Sequence, residues 1–515
     1  MNRAATELPL SIEDADVCLI VEGCYPYVPG GVSAWIDWLM RSLPETSFTI
    51  VALWPRPMNV KSRYARPDNL RSIEHLYLQE FGAQPSNRAP KLAGIEHLSE
   101  ALTRLMTQGG AAALAEVMEK LAVMRQRIAL DQLFNSPAAW QLVQEMYRRE
   151  MPYGSFLHYF WAWRALLGGL FSVLEFPLPK ASVYHTISTG YAGLFAARAR
   201  LETGRPAILT EHGIYTNERR IELLMADWVA DTIDKGHALD DPRFDLRDMW
   251  VRAFEAYART CYETSTGVIT LYGDNQAPQR LLGAQPHKLS VIANGIDLTR
   301  FAGISQAKAS DRPTMALIGR VVPIKDVKTY IEAARLLKSR VPNLRAFVIG
   351  PTDEDPDYYA ECMALVAEHQ LEKTVLFTGP VNILDYLSSI HVMVLTSLSE
   401  SQPLVVLEAG AAGIPFVATD VGSCREIIEG RRDEVPALGS GGAIVHLADG
   451  GEIAGAVEAL LSDPEKRSRA GAVLRARVSA HYRSDQAAGA YRDLYGKLGK
   501  LPRSMVEGAP QTWRE

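Results

Sequence analysis

The sequence predicts an α/β protein built from two Rossmann-like, doubly wound parallel sheets in tandem, with an α-helical insertion in the first. Three observations predict it. The short apolar run VCLIVEG (residues 17–23) leads into a Gly-rich loop, a helical pattern and a second apolar run, the opening of a βαβ unit. Beyond Pro313, apolar runs and helical patterns alternate at short spacing, as a parallel sheet covered on both faces requires. The length of 515 residues leaves room for about three domains' worth of chain.

Taken in order, the loop CYPYVPGGV (residues 24–32) precedes SAWIDWLMRSL (33–43), whose apolar residues recur at helical spacing, and then the strand-like FTIVALW (48–54). Residues 55–155 break the rhythm. They hold Pro-rich connections and a long helical stretch (113–134) without evident strands, and form the expected insertion. Strand-like runs return at AILTEHG (207–213), GVITLY (267–272) and KLSVIANGI (288–296). The polar stretch 303–313 closes a first domain over residues 1–302. The second domain, 313–482, alternates TMALIGR, LRAFVIG, TVLFTG, VMVLTS and PFVATD with helical patterns at 327–339, 357–369, 383–389, 404–413 and 424–429. From Glu452 to about Lys500 the pattern is helical without a strand, and residues 483–515 hold a C-terminal helix and tail.

Composition narrows the function classes. Hydrophobic residues make up 47% and charged residues 22%, which excludes a disordered or fibrous chain. A net charge of −6 gives no global footprint for nucleic acid. The five cysteines are odd in number and scattered, arguing for reduced thiols over a disulfide framework or zinc site. The N-terminus lacks the apolar core of a signal peptide, and the apolar stretch 161–179 is interrupted by Arg164, Glu175 and Pro177. A cytoplasmic protein is the expectation.

The strongest local pattern is SESQPLVVLEAG (399–410). Glu400 follows the run VMVLTS, at the strand end where open α/β sheets bind ligands. With Pro403 at the first helical position, the amides of Leu404 and Val405 become unpaired donors at a positive helix end, suited to phosphate. Glu408 falls on the same helix face, four residues beyond Leu404. Each carboxylate can accept from two neighbouring hydroxyls, so the pair suits sugar diols flanking a diphosphate. The second constellation is GRVVPIKD (319–326): Gly319 and Arg320 end a strand and Lys325 precedes a helix, placing two cations at the same sheet edge. They would stabilise the charge that grows on a departing diphosphate. Near the start, Gly30 and Gly31 let the backbone approach an anion, though a lone pair of glycines also reads as a plain tight turn. His212 ends a strand ahead of a loop with Asn217, Glu218 and Arg219, and is suited to a sugar hydroxyl or transferring group; His185 competes for that role. The triplet Asp353-Glu354-Asp355 imitates a metal-holding D-x-D, but acids ahead of a helix more simply favour its N-terminus.

Together, Gly-Gly-Val near the start, N-G-I-D (294–297), G-R-x4-K and E-x7-E, running on through EAGAAGIPFVATD, resemble glycosyltransferase family 4. More narrowly, EGCYPYVPGGVSAW, the helical insertion and TEHGIYTNERR resemble the PelF family of Pel exopolysaccharide glycosyltransferases. The resemblance implies a GT-B fold, with the C-terminal helix crossing back to the first domain. It implies retaining, metal-independent transfer from a UDP-sugar co-substrate to a growing polysaccharide, with no further cofactor. Arg320 and Lys325 would bind the donor diphosphate, Glu408 the ribose and Glu400 the donor sugar. His212 would match the family's active-site histidine, and Gly31 would lie near the phosphates. Association with an inner-membrane secretion complex, and so recruitment to the inner membrane face, is implied too. Other readings on the same architecture are a nucleotide-sugar epimerase, a phosphorylase, or a non-catalytic UDP-sugar-binding subunit.

Overall fold

The computed structural model describes residues 15–57, 60–79, 95–125, 136–224, 245–305, 307, 312–431 and 434–501. Readings of the first 14 residues, and of the helical stretch beyond Arg125 up to residue 135, lie outside these. The chain divides into two compact units, Met1–Thr270 with Gln276–Ser290 and Tyr491–Glu515, and Leu271–Asn275 with Val291–Ala490. Residues 291–302, read from the sequence as part of the first domain, therefore group with the second. Their backbone explains why: Ile296 N–H donates to Tyr482 O at 2.8 Å, Ser484 N–H returns to Ile296 O at 3.0 Å, and Phe301 is buried in the second unit's core.

In the first unit the elements run β1 (Ala15–Glu22), α1 (Gly31–Ser42), β2 (Phe48–Trp54), β3 (Leu70–Tyr77), α2 (Ile95–Thr107), α3 (Ala111–Arg125), α4 (Pro137–Glu150), α5 (Phe156–Glu175), β4 (Ala181–Thr186), α6 (Tyr191–Thr203), β5 (Ala207–Glu211), α7 (Tyr215–Leu224), α8 (Leu246–Thr264), β6 (Gly267–Thr270), α9 (Gln276–Leu281) and β7 (Leu289–Val291). The strand order is β3-β2-β1-β4-β5-β6-β7. The order reverses between β1 and β4, which pair in parallel, so a crevice opens at their carboxyl ends. β2 is buried along its whole length, as its unbroken apolar run requires. β3 corrects the expectation that 55–155 lacks strands. LRSIEHLY mixes polar and apolar residues because it is the sheet's edge, paired only to β2. Helices α2 to α5 pack their apolar residues into one core with α6 and α8. Among the described residues no helix is long and apolar enough to cross a membrane.

The second unit runs β8 (Thr314–Ile318), α10 (Val327–Lys338), β9 (Arg345–Ile349), α11 (Pro356–Glu368), β10 (Val375–Gly379), α12 (Leu384–Leu387), β11 (Val392–Leu395), α13 (Leu404–Ala412), β12 (Phe416–Thr419), α14 (Cys424–Glu429), β13 (Gly442–Val445), α15 (Gly450–Leu461) and α16 (Pro464–His481), and the last helix, α17 (Ser484–Leu498), passes into the first unit from Tyr491 on. The order β10-β9-β8-β11-β12-β13 places the reversal between β8 and β11. Two apolar cores, one on each face, cover the sheet. α13 is set by α16. A Cβ on Gly410 would stand 2.5 Å from Val478 Cγ2 and 3.1 Å from Leu474 Cγ, so only glycine lets the two helices approach this closely. Gly410→Ala is expected to lower unfolding free energy by about 1–3 kcal/mol through overpacking, more than the helix-propensity gain of about 1 kcal/mol returns. Denaturant melts of the two proteins measure it.

Candidate functional site

The reversal point of the second sheet gathers the sequence's main candidates. Lys325, in the turn after β8, places its Nζ 2.5 Å from Glu400 Oε1, in the loop after β11. Neighbouring bonds fix both ends. Ser397 Oγ donates to the same Glu400 oxygen at 2.7 Å, Thr396 Oγ1 donates to Lys325 O at 2.8 Å, and Leu398 N–H donates to Ile324 O at 2.9 Å. The ammonium and carboxylate retain only 21% and 14% of their exposure, so each ion depends on the other for compensation. The loop before α14 closes behind them. Ser423 N–H donates to Ser401 O at 2.8 Å, and a Cβ on Gly422 (φ 54°) would fall 2.1 Å from that same oxygen.

α13 begins beside this pair. Pro403 is extended (ψ 113°), so it caps the helix instead of opening it, and Leu404 and Val405 take the first two helical positions. Their amides precede the helix's own bonding, at its positive end. Gln402 turns to Asn294, accepting its N–H at 2.6 Å on Oε1. Glu408 lies one turn inside. Burial pushes its carboxyl up to about 7, and the Arg300 guanidinium draws it back. Near neutral pH it can thus both donate and accept, which suits a diol. Arg300, in the turn Leu298–Phe301, was not singled out from sequence and carries no motif signal there.

Arg320 is not brought onto Glu400. Its half-exposed guanidinium pairs with Glu354. Gly319 is next to the Lys325 stem, a Cβ there standing 3.8 Å from Lys325 Cδ and Cε. In the acidic triplet, Asp355 caps α11 by accepting the Tyr358 N–H at 3.0 Å. No group of three potential metal ligands occurs among the described residues.

The first sheet's reversal point carries a separate cluster. Gly30 caps α1 in extended backbone, and a Cβ on Gly30 or Gly31 would meet nothing within 4 Å, so open space fronts this helix end. α1 turns Trp35 inward, edge-on to His212 with ring centroids 4.7 Å apart. Burial pulls the His212 imidazole down to about 4, so it is neutral at physiological pH. His185 is fully buried and engages both ring nitrogens, Nδ1 with Tyr495 Oη at 2.6 Å and Nε2 with Thr210 Oγ1 at 2.8 Å. It serves the core. Asn217, Glu218 and Arg219 lie on α7, not in a loop.

Sequence reasoning missed Glu211, although its neighbour His212 was singled out. Its buried carboxylate accepts from Tyr262 Oη at 2.8 Å, Gln279 Nε2 at 2.8 Å and Tyr215 N–H at 3.2 Å. These bonds pin the turn that carries His212. Burial nevertheless pushes the carboxyl up to about 7.

Residues 15–287, more than half of the chain, match the family described as a domain of unknown function, DUF3492. The chain belongs to the DUF3492 family. In this DUF3492 chain, residues 303–476 also match glycosyl transferases group 1. Among curated relatives, a D-inositol 3-phosphate glycosyltransferase of Kribbella flavida is 32% identical over 37% of this chain and 47% of its own. An alpha-D-kanosaminyltransferase of Streptomyces kanamyceticus is 32% identical over 36% and 46%. The DUF3492 chain thus spans about half the length of the curated relatives it matches. Its fold is that of the sucrose-phosphate synthase of Thermosynechococcus elongatus (TM-score 0.56, 16% identity, 94% of this chain and 99% of that one). It also matches Anabaena HepE, solved with UDP and glucose (TM-score 0.53, 12% identity, 94% and 100%).

The raised Glu211 sets a pH dependence. A carboxyl whose folded pKa stands near 7 against an ordinary 4.5 contributes stability that is full below 4.5 and lost as pH rises through about 7. Melting temperature is expected to fall across that interval, and the fall to be shallower in Glu211→Gln. Thermal melts in matched buffers measure the difference.

Proposed function

We propose that this protein is a retaining, metal-independent glycosyltransferase that moves a sugar from a UDP-sugar to a growing exopolysaccharide, as in Pel synthesis. The observation that carries the proposal is the Lys325–Glu400 pair, set at a sheet reversal beside the first turn of α13, with Glu408 one turn further on. In this reading Lys325 and the amides of Leu404 and Val405 hold the diphosphate, Glu408 the ribose and Glu400 the donor sugar. Arg320 leaves Glu354 for the diphosphate when donor binds, and neutral His212 hydrogen-bonds the transferring group. The group 1 match and a fold shared with a protein solved with UDP and glucose support the reading.

Transfer with retention asks for attack on the face from which diphosphate leaves, with a phosphate oxygen assisting deprotonation. The protein's task is then to hold charge and geometry, which a fixed ammonium and helix-end amides do. A panel of UDP-, GDP- and ADP-sugars in thermal-shift assays is expected to select UDP-sugars, and selection of another base would overturn the donor assignment. Incubation with donor alone is expected to yield no isomer, separating transfer from epimerisation.

Lys325→Ala, with folding checked by circular dichroism, is expected to weaken UDP-sugar binding and slow transfer by about two to three powers of ten. Unchanged turnover removes Lys325 from the mechanism. Activity is expected to survive EDTA, and a strict Mg²⁺ or Mn²⁺ requirement would return Asp353 and Asp355 as ligands.

A further inference from the structure

At the opposite edge of the second sheet, where β11 and β12 begin, lies a cavity of about 170 Å³ whose walls include Ile390, His391, Ile414, Pro415, Arg467 and Ser468. Arg467 sits one turn into α16 and is only 9% exposed. Its guanidinium makes no hydrogen bond or ion pair with any described residue, and burial pulls its pKa below the usual value with no carboxylate offsetting the shift. The nearby acids of its own helix are occupied elsewhere. Asp463 caps the Lys466 N–H at 2.9 Å, and Glu465 pairs with Arg469 at 3.5 Å. Arg475, two turns further along α16, donates from Nη2 to Ala412 O at 2.6 Å. His391, 4% exposed, accepts the Thr314 N–H on Nδ1 at 3.3 Å.

We propose that this cavity binds a tetrahedral oxyanion, either inorganic phosphate or the phosphoryl group of a small sugar phosphate, on Arg467. A buried cation without a counter-charge is costly, and a bound oxyanion supplies both the charge and the forked acceptors that a guanidinium matches. The amino end of α16 adds positive potential, and Ser468 supplies a further polar atom at the wall. The volume is below that of pockets for drug-sized molecules, roughly 300 Å³ and above, so it selects a compact anion over a nucleotide. Because the cavity lies at the strands' amino ends, it is a site apart from Lys325 and Glu400, and the inference stands whether or not the proposed donor is correct.

Isothermal titration of the full chain with inorganic phosphate and with glucose 6-phosphate, at an ionic strength held constant with chloride, tests it. Wild type is expected to show a one-to-one saturable component that Arg467→Gln weakens at least about tenfold, a loss of 1.4 kcal/mol. Arg469→Gln, on the same helix but exposed, is expected to retain that component. Arg467→Lys, which keeps the charge without the fork, is expected to fall between, and it carries the test if the Gln variant does not fold. Tighter binding of phosphate assigns the free ion, and tighter binding of glucose 6-phosphate assigns the sugar phosphate. No saturable component with either anion, or equal binding in wild type and both Arg467 variants, overturns the proposal.

Discussion

The ion pair between Lys325 and Glu400 is the constraint on which the candidate site depends. Neither ion has enough water left to stand alone, and each arrives from a loop that the sheet's strand order brings to the same place. The bonds from Ser397, Thr396 and Leu398 tie the two loops to one another, so moving either would strip a partly buried charge of its partner. That cost is several kcal/mol for a pair broken on one side. Two loops thereby become one fixed surface beside α13.

The same economy of motion extends into the helices. α13 holds its position because Gly410 admits α16, and α16 is in turn anchored by Arg477. That arginine is 1% exposed, forks onto Glu434 and donates to the carbonyls of Ile427, Ile428 and Gly439. The chain of support therefore runs from a buried guanidinium through a helix contact to the amides of Leu404 and Val405. For the proposed transfer such backing matters, since donors that must first reorient contribute less.

Much of this was legible in the sequence because parallel strands buried on both faces leave unbroken apolar runs, as FTIVALW and VMVLTS do. The E-x7-E spacing likewise placed Glu400 and Glu408 on either side of a helix start, and the helix begins one residue later than the proline suggested. What the sequence hid has physical reasons. β3 is an edge strand, so its polar residues dilute the apolar signal. β13 is likewise an edge strand, with only Val445 fully buried. Arg320 finds Glu354, 34 positions away, and Arg300 reaches toward Glu408 from a turn. Pairings of this kind are decided by which loops share a sheet edge, which local spacing does not record.

Glu211 shows the same limit from the other side. As a type, a glutamate next to a strand's end reads as a solvated ligand candidate, whereas here two side chains and a backbone amide enclose it. Three donors would ordinarily hold a carboxylate well ionised, yet burial outweighs them and raises its pKa. Glu408 reaches a similar value by the same cause, burial, opposed here only by a guanidinium on a neighbouring turn. Glu211 spends its acceptors on the protein and so acts through the His212 turn it holds. Among the described residues Glu408 makes no such hydrogen bonds, and under the proposed function it is the acid whose protonation a bound polyol would feel directly.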